Sequence, residues 1–275
     1  MGASALRHRL FRLRRRRLNL SQFHLSPAPV PPHAISQSAA SAPIKDWPGR
    51  ETRDDAERLN DEQLHVLLPA LPAIGRALQK CDGLNPPCLL PICAVCARDY
   101  RVRPIAQLHA LAHAYPGPHE VATLYLKLFP PGFLKDADLR RAKEMLRKRL
   151  DCAGFTGAIL AGGIEVAWQE KHQRWLLHAQ VLAIGVDADT WKRLKAALDD
   201  SGTDDPVRSV PLRDPDKQLS YCIKFVTYHQ PGRRLVPLPA DRLVELAEWC
   251  SQYRFEDFFF AYGARRRGGQ LVVDK

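Results

Sequence analysis

No apolar run in this 275-residue chain reaches the eighteen or so residues that a helix needs to cross a bilayer. A helical membrane span is therefore not expected, and the expected location is the cytoplasm. Acidic side chains are missing from the first 45 residues, which hold seven arginines and Lys45. The long apolar core of a secretory signal is missing there too, although an arginine-rich, acid-free start is shared with organelle transit peptides. Beyond that tail stand 33 basic and 30 acidic side chains. The net charge of +11 is thus mostly a property of the tail. Its run Arg12 to Arg17 suits phosphate contacts or an anionic surface, or is simply solvated. Disulfides are not expected, because the seven cysteines are odd in number and nothing marks the chain for export.

What is present is 45% apolar content, enough for one sizeable domain with extensions or two small ones. Residues 1–45 read as a disordered basic tail running into a Ser/Pro/Ala linker. Residues 46–118 read as helical and cysteine-rich. Leu59, Leu64, Leu67 and Leu68 share overlapping helix faces, and Pro69 and Pro72 divide the run into two short helices. Residues 119–275 read as the main domain. It opens with an alternating strand, Val121 to Phe129, with Leu124, Leu126 and Leu128 on one face and Thr123, Tyr125 and Lys127 on the other. A helix over 136–150 follows, stopping near Gly154. Next come a hairpin over 158–185, a helix over 187–198 capped by Asp187 or Asp189, a short strand over 207–212, a helix over 214–228 and another over 239–251. The order β-α-β-β-α-β predicts an α+β fold, a ferredoxin-like split βαβ antiparallel sheet with helices on one face.

Two clusters carry chemistry. Cys81, Cys88, Cys93 and Cys96 fall within sixteen residues, and Cys93-Ala-Val-Cys96 has the spacing of a zinc knuckle. Cys81 and Cys88 would complete a four-sulfur structural zinc site; alternatively His109 and His113 would contribute. Cysteines that merely pack are the plain reading. In the hairpin, Glu165 stands on the first strand and His178 and Gln180 on the second. The latter two leave the same sheet face because they are two apart, and Glu165 can reach that face from the neighbouring strand. A carboxylate, an imidazole and an amide oxygen can hold Mg²⁺ or Mn²⁺. Tyr221 and Lys224, three apart in a run that reads as helix, would share a helix face. Arg101, Arg103, Lys127, Arg265, Arg266 and Arg267 are candidates for contacts with nucleic-acid phosphates. Trp168 and Trp175 flank the hairpin turn as a cross-strand pair, and Phe258 to Phe260 read as core.

This constellation resembles the rolling-circle replication initiators (Rep proteins) of the HUH endonuclease superfamily. Thr123-Leu-Tyr-Leu-Lys-Leu resembles the family's first motif. Glu165 followed by Trp175-Leu-Leu-His178-Ala-Gln180 resembles the second, and Tyr221-Cys-Ile-Lys224 the third, the nucleophile motif. The family's second histidine is Gln180 here. The resemblance implies an enzyme that nicks and joins single-stranded or origin DNA in plasmid or phage replication, alongside host replication proteins. Glu165, His178 and Gln180 would hold the divalent cation. Tyr221 would form a 5′-phosphotyrosine, and Lys224 would orient or activate it or neutralise the phosphate. Tyr228 is a weaker candidate for a second nucleophile, since packing accounts for it equally well. The alternative is a non-catalytic, zinc-containing nucleic-acid-binding protein with a degenerate version of this fold. An RNA-binding ferredoxin-like domain fits less well, because the strands 123–129 and 175–182 lack paired aromatics.

Overall fold

The computed structural model describes residues 52–81, 87–225, 227–229, 236–267 and 270–273. The expected tail and linker over 1–45 lie outside the described residues. The elements are helices α1 (Arg53–Ala70), α2 (Pro72–Gln79) and α3 (Ala94–Ala114), strand β1 (His119–Phe129), α4 (Leu139–Ala153), β2 (Ile159–Gln169) and β3 (Arg174–Ile184). Then follow α5 (Ala188–Ala197), β4 (Val207–Pro211), α6 (Pro215–Ser220), β5 (Tyr228–His229), β6 (Val236–Pro237), α7 (Ala240–Cys250), α8 (Phe255–Phe258), β7 (Phe259–Tyr262), β8 (Ala264–Arg267) and β9 (Gln270–Val273).

Local chemistry sets the boundaries. Thr52 caps α1 in a reciprocal box with Asp55, so two orphan donors of the first turn are satisfied. Pro72 opens α2 at its first turn, where a missing N–H costs nothing. Asp138 caps α4, and Gly154, at φ 82°, ends it. Asp187, not Asp189, caps α5 through Thr190 N–H.

The main sheet is antiparallel, with strand order β4-β1-β3-β2-β7. The first four positions are the split βαβ order expected from the sequence, with β3 in the centre. The fifth strand, β7, was not expected. Its Phe259 and Phe260 are both buried, so the period-2 signal of a half-exposed strand is absent.

Leu177, Ala179 and Val181 of β3 pack in one cluster with Leu146 and Leu150 of α4 and Leu194 of α5. Helices α1 and α2 contribute Leu59, Leu67 and Leu78 to the same cluster, so the cysteine-rich region and the sheet share a core. Trp168 faces Trp175 across β2 and β3 with ring centroids 5.3 Å apart. Trp175 Nε1 donates to Glu245 of α7 at 2.8 Å, pinning that helix to the hairpin.

The opposite sheet face is not open throughout, contrary to the simple reading. Ile159, Ala161, Leu182 and Ile184 lie there and are covered by Ile105, Leu108 and Leu111 of α3 and by Leu219, Cys222 and Ile223. Apolar side chains of this size contribute about 1.5–3 kcal/mol each on burial, so one end of the face could not stay bare. Strand β1 departs from its expected alternation as well. An irregularity between Tyr125 and Lys127 pairs Lys127 with Leu177 rather than placing it beside Tyr125. Lys127 therefore leaves the His178 face and lies over the Phe129 ring, 5.2 Å from its centroid.

Gly163 of β2 sits under the crossing segment. A Cβ there would lie 3.0 Å from the Cys222 carbonyl and 3.3 Å from Glu165 Oε1. Gly163→Val should therefore lose about 1–3 kcal/mol through overpacking, read as a lower urea midpoint. A wild-type midpoint would mean that the 222–223 backbone does not lie on β2.

Candidate functional site

The four cysteines expected to form a metal site do come together. Their Sγ atoms all lie within 4.8 Å of one another. Cys81 and Cys96 are 3.4 Å apart, Cys88 and Cys96 3.7 Å, and Cys93 and Cys81 3.8 Å. A tetrahedral zinc with Zn–S bonds of about 2.3 Å needs sulfurs about 3.8 Å apart. The four thiols therefore fit one metal ion such as zinc.

The surroundings favour a thiolate at Cys93, and hydrogen bonding to Cys93 pushes the Cys88 thiol up. Cys93 is the N-cap of α3 and Cys96 lies in its first turn, where the helix dipole favours negative charge. Hydrogen bonds from the Cys88 and Cys96 thiols, and then from Asn60, favour the thiolate of Cys93. The Asn60 side chain is buried. It donates Nδ2–H to Cys93 Sγ at 3.3 Å and accepts Ala94 N–H at 2.8 Å. Leu89, at φ 55°, makes the tight turn beside Cys88. The sequence alternative with His109 and His113 is not realised: His109 Nε2 lies 3.6 Å from Asp216, and His113 is exposed.

The second cluster is assembled by strand register. Glu165 stands directly opposite His178, and Tyr125 stands opposite His178 on the other side. Gln180 lies one pair further along, between Gly163 and Thr123. The three sequence-selected residues thus share a face. Glu165 is buried, and burial pushes its carboxyl up to about 7, opposed by the Lys224 charge, the Lys224 N–H and the Arg101 charge. Burial pushes His178 down to about 4, with a hydrogen bond to the Leu176 carbonyl opposing it.

The sequence expectation for Tyr221 needs correction. The helix ends at Ser220, and Tyr221 is its C-cap. In a continuing helix, Lys224 N–H would donate to the Ser220 carbonyl. Here Lys224 N–H donates to Glu165 Oε1, and the Ser220 carbonyl accepts from Arg101 Nη2 at 3.1 Å. Hydrogen bonds to charged groups contribute about 1.5–3 kcal/mol each, against about 0.5–1.5 for a neutral one. The two charged bonds therefore outweigh the helical one that they replace. Tyr221 and Lys224 still meet: the ammonium lies 3.6 Å from the centroid of the tyrosine ring. Tyr221 itself is exposed. Tyr228 stands in β5, not on a helix with Tyr221.

The arginine candidates separate. Arg101 is held in the cluster by Ser220. Arg103 is exposed. Arg266 donates to the Tyr100 hydroxyl at 3.2 Å and lies over the Phe259 ring, which makes it part of the packing. Arg265 and Arg267 are exposed on β8. Beyond Tyr125 lies a concavity of about 330 Å³ lined by Tyr125, Leu176, Lys171, Asp204, Asp205 and Arg208; Glu165, His178, Gln180 and Tyr221 are not part of its lining.

Sequence reasoning missed Asn60, Arg208 and the splitting role of Arg101. It had one usable signal for the crossing segment, the Gly162-Gly163 pair inside a strand, which marks a close backbone approach.

Buried Glu165 and half-buried His178 make opposite demands on pH. Folded Glu165 keeps its proton where the unfolded chain has lost it, so its contribution to stability falls as pH rises from about 4.5 to about 7. Folded His178 stays neutral where the unfolded chain is charged, so its contribution rises between about pH 4 and 6.5. In buffer without divalent cations, urea midpoints of Glu165→Gln should rise with pH across 4–6.5, and those of His178→Gln should fall across 4.5–7. Parallel profiles would show that the two groups are not both perturbed in these directions. Among known proteins, no family model, no curated protein and no solved structure matches this chain.

Proposed function

We propose that this protein nicks and rejoins single-stranded DNA through Tyr221, in the manner of a rolling-circle replication initiator, with a structural zinc in the four-cysteine site. The observation that carries the reading is the shared sheet face: Glu165 and His178 are paired across β2 and β3, and the Tyr221–Lys224 segment is hydrogen-bonded to Glu165. The strand order β4-β1-β3-β2 supports it.

In the proposed reaction the Tyr221 oxygen attacks the scissile phosphorus and loses its proton to solvent. The new O–P bond leaves a 5′-phosphotyrosine. The broken P–O bond releases a 3′-hydroxyl, which takes up a proton. Attack by a 3′-hydroxyl on the phosphotyrosine reverses the step and rejoins the strand. Lys224 holds a positive charge against the Tyr221 ring and would balance the phosphate. Arg101, fixed by Ser220, adds a second positive charge. Glu165, His178 and Gln180 would hold Mg²⁺ or Mn²⁺, which supplies Lewis-acid stabilisation of the charge building on the phosphate.

A second reading, a zinc-containing nucleic-acid-binding protein without catalysis, is favoured by the geometry of the four thiols alone. The two are separated by incubating the protein with diverse labelled single-stranded oligonucleotides and Mn²⁺. A detergent-stable adduct is expected. It should vanish in Tyr221→Phe and with chelator, while binding persists, and Gln180→His should keep it or raise its yield. An adduct of normal yield in Tyr221→Phe would exclude Tyr221 as the nucleophile. Binding indifferent to Mn²⁺, with no adduct from any pool, would favour the second reading.

A further inference from the structure

The four-cysteine centre and the Tyr221–Lys224 segment are joined by one helix. Cys93 and Cys96 fix the start of α3. One turn further, Tyr100 stacks on Phe255 at 4.8 Å and meets Phe225 edge-on at 6.0 Å. Its neighbour Arg101 holds the Ser220 carbonyl at 3.1 Å. Ser220 and Phe225 are the residues on either side of Tyr221–Lys224, so consecutive residues of α3 grip both ends of the segment. The loop before Cys93 also reaches the same place. Pro91 and Ile92 line a cavity of about 20 Å³ together with Glu165, Lys224, Phe225 and Thr227.

We infer that metal bound by Cys81, Cys88, Cys93 and Cys96 holds the Tyr221–Lys224 segment on the sheet by way of α3, with Arg101 as the positioning residue. A metal ligated by four thiolates contributes its binding free energy to whatever conformation brings the thiols together. Here that conformation includes the register of the first turns of α3, and so the reach of Tyr100 and Arg101. Without the metal, the link between Cys81, Cys88 and the first turn of α3 is reduced to contacts among four thiols within 4.8 Å of one another. The start of α3 keeps its packing in the core but loses the bond that fixes its register, and with it the hold of Arg101 on the Ser220 carbonyl. This inference rests on the metal reading of the four thiols and not on the nicking reaction.

The chain carries its own reporter. Cys222, within the segment, is fully buried against the sheet, and a thiol must be exposed and ionised to be alkylated. Exposed Cys152 reports that the reagent is active. The experiment uses the full-length chain loaded with Zn²⁺, the same chain after chelation, and Arg101→Ala. Native mass spectrometry counts the metal, peptide mapping follows alkylation of Cys222, and amide exchange in β3 reports the integrity of the sheet.

One zinc per chain is expected in the wild type and in Arg101→Ala. Cys222 labelling should accelerate about tenfold or more in both the metal-free chain and Arg101→Ala, the loss expected for one charged hydrogen bond, while β3 stays protected. A chain that binds no zinc would overturn the inference at its base. Zinc binding with unchanged Cys222 labelling in either the metal-free chain or Arg101→Ala would overturn the coupling and leave the metal site standing. Should chelation unfold the whole sheet, Arg101→Ala, which keeps all four thiols, decides the matter.

Discussion

A single helical hydrogen bond is given up at the end of α6, and much of the molecule is arranged around its replacement. Lys224 N–H turns to a buried carboxylate, and the Ser220 carbonyl turns to a guanidinium. Each partner comes from a different part of the chain, Glu165 from the sheet and Arg101 from α3. Burying a carboxylate costs several kcal/mol unless hydrogen bonds and charges offset it. The Lys224 amide and the charges of Lys224 and Arg101 supply part of that offset for Glu165, and burial still holds its carboxyl up at about 7. The same exchange frees Tyr221 from a regular helix and sets it at an exposed corner with a cation against its ring. Glycine at 163 is the steric condition for all of this, since the 222–223 backbone passes where a side chain would stand.

The helix that delivers Arg101 is unusual in what it connects. Its N-terminus carries two of the four clustered thiols, and its later turns bury Ile105, Leu108 and Leu111 against the sheet. Apolar burial of three such residues anchors the far half of α3 without help. The near half lies in the main core through Ala94, Val95 and Ala97, and Ala94 and Cys93 are tied to Asn60 of α1 as well. On the inferred coupling, a metal at that end would add to this packing a direct link from Cys81 and Cys88 to the helix that carries Arg101.

The sheet was legible because its signals are local. Alternation in 176–182 separates Leu177, Ala179 and Val181 from His178 and Gln180, and a two-residue period leaves no other arrangement once one face is buried. The facing of Glu165 and His178 followed from hairpin geometry, and the cysteine cluster from the CxxC spacing. What escaped depends on contacts distant in sequence. The end of α6 at Ser220 is imposed by Arg101 and Glu165, more than fifty residues away, while the local run 214–225 looks helical throughout. The shift at Tyr125–Lys127 leaves no mark in an otherwise regular strand. Strand β7 is buried on both sides and so lacks alternation, and Arg266 was indistinguishable from its exposed neighbours until Tyr100 and Phe259 were seen beside it.

The commitment of Glu165 Oε1 to Lys224 also constrains any cation on this face. Only the second carboxylate oxygen, His178 and Gln180 remain as donors, and two of those three ligands are neutral. Lys224 and Arg101 stand close enough to shift the Glu165 carboxyl, and both oppose a further positive charge. A divalent ion would therefore bind such a site weakly by itself. A phosphate brings negative charge that satisfies the two cations and oxygen ligands that complete the ion's coordination. On the proposed reading, metal and nucleic acid bind this face together or not at all. The thiol centre has the opposite character: four anionic ligands from the chain itself need no substrate to hold their ion. On the proposed reading, one molecule would carry a lasting metal at the thiols and a transient one that arrives with the nucleic acid.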